Sequence, residues 1–162
     1  MKLLKCIRFD GSDERIFDIA AAPDEWAVPG GFAFTQLSRD DISGKTRQAF
    51  ANGFLGLQSF GHSTFVTVKE AGPGEEERLA RHLANHFVDR YGAPDMNAAL
   101  PVAKEEISFT AGLCRHVAIN TVFTLRRYFD DDDEIREEFR TIEAPAGPPA
   151  HARIWSVVDD DA

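Results

Sequence analysis

Residues 119–142, INTVFTLRRYFDDDDEIREEFRTI, hold two runs of strand-forming residues on either side of an acidic turn. β-branched and aromatic residues favour extended backbone, whereas the aspartates at 130–133 favour a chain reversal. We therefore predict a β-hairpin with strands over 119–129 and 135–142. Consecutive aspartates cannot all face one ion, so a solvated turn is favoured over a calcium site.

Charged residues of both signs occupy the two strands of this hairpin. Four arginines flank the turn: Arg126, Arg127, Arg136 and Arg140. Ion pairs across the strands with Glu137 and Glu138 are the simpler interpretation, because opposite charges on facing strand residues attract. A patch that binds a carboxylate is the alternative.

Two long helices are predicted before the hairpin. In residues 75–91, Leu79, Leu83 and Phe87 recur at helical spacing on one face. Residues 95–114 form the second helix, which is apolar on two sides and therefore needs two partners. One partner is the sheet, and the other is the neighbouring helix, a small-molecule cavity or a second subunit.

The N-terminal half is expected to contain strands and one short helix. We predict a hairpin over 2–9 and 15–19, a strand over 32–37, a helix from 40 or 41 to 52, and a second hairpin over 54–60 and 63–70. Gly53 is predicted to end the short helix in a left-handed cap. His62 falls between the strands of the second hairpin, where a histidine is most often simply exposed.

These elements predict an α+β fold with a mainly antiparallel sheet, one short helix and two long helices. A chain of 162 residues is expected to form a single domain over residues 1–162. A proline-rich connector at 144–150 precedes a last short strand around 154–158. Exchange of that strand with a second subunit is one route to a dimer.

Composition narrows the classes of partner. Thirteen phenylalanines against two tyrosines indicate a packed interior or an apolar cavity. A net charge of −9 argues against nucleic acid and anionic membranes as partners. No apolar run is long enough to span a bilayer, and charges interrupt the first eight residues, so we expect a cytoplasmic protein.

Familiar catalytic and cofactor motifs are missing from the sequence. It has no Gly-x-Ser-x-Gly elbow, no Walker-type phosphate loop and no Gly-x-Gly-x-x-Gly motif after a strand, so no cofactor is expected. His82 and His86 have the spacing of a weak metal pair. Zinc proteases have a glutamate directly after the first histidine, and here Leu83 stands there, so a solvated helix face is favoured.

The two cysteines, Cys6 and Cys114, lie far apart in sequence and are expected to be reduced and buried. Cys114 precedes Arg115 and His116 at the predicted end of the second long helix, where the helix dipole raises the pKa of a thiol. A structural thiol is therefore favoured. The alternative is a small enzyme that uses Cys114 with His116 or His62, with Glu106 as an orienting or acid–base group.

Four stretches resemble an uncharacterised proteobacterial family of unknown function: KLLKCIRFD (2–10), EWAVPGGF (25–32), AFANGFLG (49–56) and EEISFTAGLC (105–114). The similarity extends to about residue 142. This resemblance implies a small, stand-alone bacterial protein that accompanies a metabolic operon. It carries over no catalytic residue.

The sequence thus favours a non-catalytic accessory or binding protein that acts through an apolar surface or cavity. Candidate ligand-binding residues are Phe54, Phe60, Phe65 and Phe109. The expected partner is a second copy, another protein or an apolar small molecule. A homodimer through the helix at 95–114 or through the last strand is the most specific form of this hypothesis.

Overall fold

A computed structural model describes residues 1–143 and 156–159. The strands in these residues are β1 Lys2–Ile7, β2 Trp26–Val28, β3 Phe54–Gly56, β4 His62–Ser63, β5 Phe65–Glu70, β6 Val122–Phe129, β7 Ile135–Glu143 and β8 Ser156–Asp159. The helices are α1 Ser12–Ile16, α2 Gly44–Asn52, α3 Glu75–Arg90 and α4 Met96–Cys114. The predicted α+β class is confirmed. The connector predicted at 144–150 lies outside the described residues.

Within the described residues the strands form one antiparallel sheet in the order β4-β3-β2-β1-β5-β6-β7-β8. β1 pairs with β5 along its whole length, from Lys2 opposite Glu70 to Ile7 opposite Phe65. β6 and β7 form the predicted hairpin, which confirms the interpretation of residues 119–142. The acidic residues 130–134 connect these two strands.

Successive residues of the central strand β1 are buried on opposite faces of the sheet, as the two-residue period of a strand requires. Leu3 belongs to the cluster that includes Leu83 of α3 and Ile107 of α4. Leu4 and Cys6 belong to a second cluster. β1 is therefore covered on both faces and lies at the centre of the core.

Both long helices occur where they were predicted. Helix α3 begins after Gly74, whose φ of 81° favours glycine, and helix α4 begins after Asp95, whose side chain accepts a hydrogen bond from the Ala98 N–H at 2.9 Å. Pro101 lies inside α4 without ending it. Among the described helices, none has both the length and the apolar character needed to cross a lipid bilayer.

Two predicted strands are wrong. Residues 15–19 were expected to pair with β1, but helix α1 covers Ser12–Ile16 and therefore includes the first two of them. Residues 32–37 were expected to form a strand, but a 3-10 helix covers Gly31–Phe34. Phe17 and Phe34 bury their rings in a third cluster with Phe50 of α2. This tertiary burial outweighs the local preference of aromatic residues for extended backbone.

Gly53 has a different role from the predicted left-handed cap. Its φ is −93°, so the chain leaves α2 in an extended conformation. A Cβ atom at this position would lie 2.8 Å from the Ala49 carbonyl oxygen and 3.0 Å from the ring of His62. Glycine is therefore required here because two chain segments approach closely.

Candidate functional site

Arg127 on β6 is the largest fully buried side chain in the described residues. Its Nη2 donates hydrogen bonds to the Pro29 carbonyl and to Glu137, both at 2.8 Å. Nη1 donates to the Phe50 carbonyl at 2.7 Å, and Nε donates to Glu137 at 3.0 Å. The second N–H of Nη1 faces the Ala49 carbonyl at 3.4 Å, so all five N–H groups of the guanidinium have a partner, and together they connect β6, β7, the end of β2 and α2.

The register of the hairpin explains the burial of Arg127. Arg127 lies directly opposite Glu137, and Arg126 lies directly opposite Glu138. Both cross-strand ion pairs that were predicted are present, at 2.8 and 3.0 Å. Strand alternation places Arg127 on the same face as the buried Leu125, so only the first of these pairs is inside the protein.

Glu106 on α4 is a half-buried carboxylate close to this arginine. It accepts a hydrogen bond from the Gly30 N–H at 3.2 Å. Burial raises the pKa of Glu106, the bond from Gly30 opposes that rise, and the nearby charges of Glu137 and Arg127 act in opposite directions. The net effect is a raised pKa, so ionisation of this carboxyl is less favourable than ionisation of a carboxyl in water.

A cavity of about 470 Å³ opens beside Glu106. It lies between α4, the 3-10 helix Gly31–Phe34 and the start of β7, and its size falls in the range of small-molecule sites. Its walls carry the carboxylates Glu105, Glu106 and Glu137 and the apolar side chains Phe32, Val102, Phe109 and Ile135. Val102 and Phe109 are 52% and 49% exposed, so the mouth of the cavity presents apolar surface to solvent.

Carboxylates beside apolar walls determine which ligands this cavity suits. Arg127 lies behind Glu137, and its hydrogen-bond donors are already occupied. Apart from the hydroxyl of Thr35, which donates to the Phe32 carbonyl, the side chains left to meet a ligand are acidic or apolar. The cavity also brings together Glu106 and Phe109, which the sequence proposed for separate roles as an acid–base group and a ligand-binding residue.

Cys114 is completely buried and packs in the second core cluster with Cys6 and Phe123. Burial raises the pKa of its thiol to about 12, although the charge of Lys2 acts to lower it. Within the described residues, no hydrogen bond joins Cys114 to His116, His62 or Glu106. His116 is exposed beyond the end of α4.

The folded protein is expected to leave both thiols unmodified by iodoacetamide at pH 8, because the neutral, buried thiol is a poor nucleophile. Burial likewise raises the pKa of Cys6 to about 12. Mass spectrometry should detect two carbamidomethyl groups per chain after unfolding in urea and none before it. Rapid modification of Cys114 in the folded protein would instead support the cysteine-enzyme alternative.

His62 lies in β4 opposite Leu55, and the expectation of an exposed turn histidine is wrong. The centroid of its ring lies 5.8 Å from that of Phe17 and 6.1 Å from that of Phe34. Its Nε2 atom is buried without a hydrogen-bond partner among the described residues. Burial and the charge of Arg127 lower its pKa to about 4, so the ring is neutral at pH 7.

The other phenylalanine candidates lie away from the cavity. Phe54 is completely buried in the second core cluster. The Phe65 ring lies 4.7 Å from the Phe9 ring, measured between centroids. Phe60 stacks on His86 with centroids 3.6 Å apart. Of the four phenylalanines proposed from the sequence, Phe109 is therefore the one that lines the cavity beside Glu106.

His82 and His86 lie on α3 as predicted, and both rings stack on Phe60. Burial, together with the charge of Arg90, lowers the pKa of His86. In residues 1–143 and 156–159, no group of three or more histidine, cysteine, aspartate or glutamate side chains is arranged to hold a metal ion. The observed contacts of this pair are thus aromatic.

Comparisons with known proteins give one result. A search of curated proteins and a search of solved structures each return no match. A family model described as "Family of unknown function (DUF6505)" matches residues 1–155, which is most of the chain. The resemblance to a family of unknown function is therefore confirmed, and the chain belongs to the family DUF6505.

Proposed function

We propose that this protein binds a small molecule that carries a positively charged amine and an apolar body, in the cavity beside Glu106. The observation that supports this proposal is a half-buried carboxyl of raised pKa on the wall of a cavity that is lined by carboxylates and apolar side chains. An ammonium group at Glu106 would add a positive charge beside this carboxyl and favour its ionised form. The net charge of −9 also attracts cations to the protein surface.

The apolar walls suit the body of such a ligand. Phe32 and Phe109 present aromatic rings, which attract a nearby cation as well as apolar groups. Covering the exposed parts of Val102 and Phe109 would remove apolar surface from water, which is favourable by about 25 cal/mol per Å². The proposed ligand therefore has an amine directed at Glu106 and an apolar group against α4.

Replacing Glu106 with glutamine is expected to weaken amine binding and to stabilise the free protein at pH 7. The sign follows from the raised pKa. For a carboxyl whose pKa is higher in the folded state, stability is fully present below the unfolded pKa and is lost as the pH rises from that value through the folded pKa, so it is already lost when both states are ionised. Glutamine remains neutral and can still accept the bond from Gly30.

Calorimetric titration with 2-phenylethylammonium tests the proposal. Methylammonium lacks the apolar body and 2-phenylethanol lacks the charge, so both should bind at least about tenfold more weakly. Glu105→Gln is the matched control, because Glu105 is the adjacent, exposed carboxylate of the same cavity. Equal affinity of the amine for the wild type and for Glu106→Gln would refute the proposed role of Glu106.

A homodimer through α4 is the second candidate function, since Val102 and Phe109 would also suit a second copy of the chain. Native mass spectrometry separates the two candidates. A monomer that carries a small cationic adduct supports ligand binding in the cavity. A dimer without an adduct supports association of the exposed α4 surface and counts against a resident small molecule.

A further inference from the structure

A second cavity of about 470 Å³ lies at the junction of α2, the 3-10 segment Arg39–Asp41 and the end of β6. It shares no lining residue with the cavity beside Glu106. Three arginines line it: Arg39, Arg47 and Arg127. Its character is therefore basic, although the protein as a whole is acidic.

The three arginines differ in the donors that they have available. Four N–H groups of Arg127 are used by the shorter bonds described above, and the second N–H of Nη1 faces the Ala49 and Gly53 carbonyls at 3.4 and 3.5 Å. Arg127 is also paired with Glu137, so it offers a ligand no free N–H. Arg39 uses Nη2 for Asp133 at 2.8 Å and for the Asp130 carbonyl at 3.1 Å, which leaves Nε and Nη1. Arg47 is exposed, and its guanidinium makes no hydrogen bond or ion pair within the described residues.

An aromatic surface lies beside these donors. The rings of Phe50 and Phe129 stack with centroids 4.9 Å apart and planes 17° apart. The guanidinium carbon of Arg39 lies 5.3 Å from the centroid of the Phe129 ring. Ile42 adds an aliphatic wall. A ligand here would meet arginine donors at one end and apolar rings at the other.

We propose that this cavity binds a small oxyanion with an aromatic body, either an aryl carboxylate or an aryl phosphate. The planar guanidinium matches the geometry of both oxyanions, so Arg39 and Arg47 would hold the charged end. The aromatic body would pack on Phe50 and Phe129. The Arg39–Asp133 pair is exposed, and exposed pairs contribute little, so a bound oxyanion can compete with Asp133 for Arg39.

Calorimetry with phenyl phosphate and with benzoate tests this assignment on the full chain. At least one of them should bind with 1:1 stoichiometry, and the tighter of the two identifies the oxyanion. Inorganic phosphate lacks the aromatic ring of phenyl phosphate, and phenol lacks its charged group, so both should bind at least about tenfold more weakly than phenyl phosphate. Inorganic phosphate that binds as tightly as phenyl phosphate would overturn the aromatic half of the assignment.

The variant Arg47→Gln should weaken binding of the tighter probe about tenfold, because a charged hydrogen bond is lost. Arg47 is exposed, so this change leaves the fold intact. Arg81→Gln is the control, since Arg81 is an exposed arginine on α3 outside the cavity. Unchanged affinity in Arg47→Gln, or no binding of either probe to the wild type, would overturn the proposal. Because the probes are anions, their failure is distinct from failure of the amine site.

Discussion

Replacement of Arg127 by methionine is expected to lower the free energy of unfolding by about 3 to 5 kcal/mol, the usual cost of removing one partner of a buried ion pair. The variant leaves Glu137 without its counter-charge, and the carbonyls of Pro29 and Phe50 without their donor. Urea denaturation at pH 7, followed by circular dichroism, measures the loss.

Arg126→Met is the matched control for this experiment. Arg126 is the preceding residue of β6, and it pairs with Glu138 at 3.0 Å on the solvent side. Exposed ion pairs contribute up to about 1 kcal/mol, so the control should lose little. The double variant Arg127→Met with Glu137→Leu should recover part of the loss, because it removes the orphaned carboxylate. Equal losses in the two single variants would show that burial of Arg127 has no energetic importance.

The second large effect is expected at acidic pH and comes from His62. Its pKa is about 4 in the folded protein, against an ordinary value of 6.5 in the unfolded chain. The unfolded chain therefore binds a proton first as the pH falls, and the stability that is present above pH 6.5 is lost between pH 6.5 and 4. At pH 5 the contribution of His62 to this loss is about 2 kcal/mol.

His62→Phe removes the titrating group and keeps an aromatic ring beside Phe17 and Phe34. Urea denaturation at pH 7, 6 and 5 should show the variant gaining about 2 kcal/mol relative to the wild type between the first and last pH values. Comparison with the wild type at each pH cancels the contribution of the carboxylates. His116→Gln serves as the control with an exposed histidine. A constant difference between His62→Phe and wild type would show that His62 titrates normally in the folded protein.

Local patterns in the sequence predicted those elements whose signals lie within a few residues. Helix α3 follows from the spacing of Leu79, Leu83 and Phe87, and the β6–β7 hairpin follows from two strand-forming runs around an acidic turn. The burial of Arg127 could also have been recognised. Side chains two positions apart in a strand lie on the same face of the sheet, so Arg127 lies on the face of the buried Leu125. Arg126, the residue before it, must then lie on the opposite face, which is exposed to solvent.

Long-range contacts decided the rest. The segments predicted as strands at 15–19 and 32–37 begin in helical turns instead. Phe17 and Phe34 are buried there in one cluster with Phe50, an arrangement that no local window of the sequence contains. His62 was expected at an exposed turn, yet the approach of Gly53 and the neighbouring rings bury its Nε2 atom. The preference of single residues for strand or helix is weak compared with the burial of large side chains, so burial decides the conformation where the two disagree.

Local patterns were enough to predict the α+β class, the two long helices, the β6–β7 hairpin and its cross-strand charge pairs, because helical periodicity, strand alternation and turn chemistry are local properties. The candidate site, in contrast, depends on contacts between residues that lie far apart in the sequence. Glu106 meets the N–H of Gly30 across 76 positions of the chain, and Arg127 meets the Phe50 carbonyl across 77. Those contacts depend on how the sheet and helices pack together, and this packing places a half-buried carboxylate, a saturated arginine and two cavities around one end of the β6–β7 hairpin.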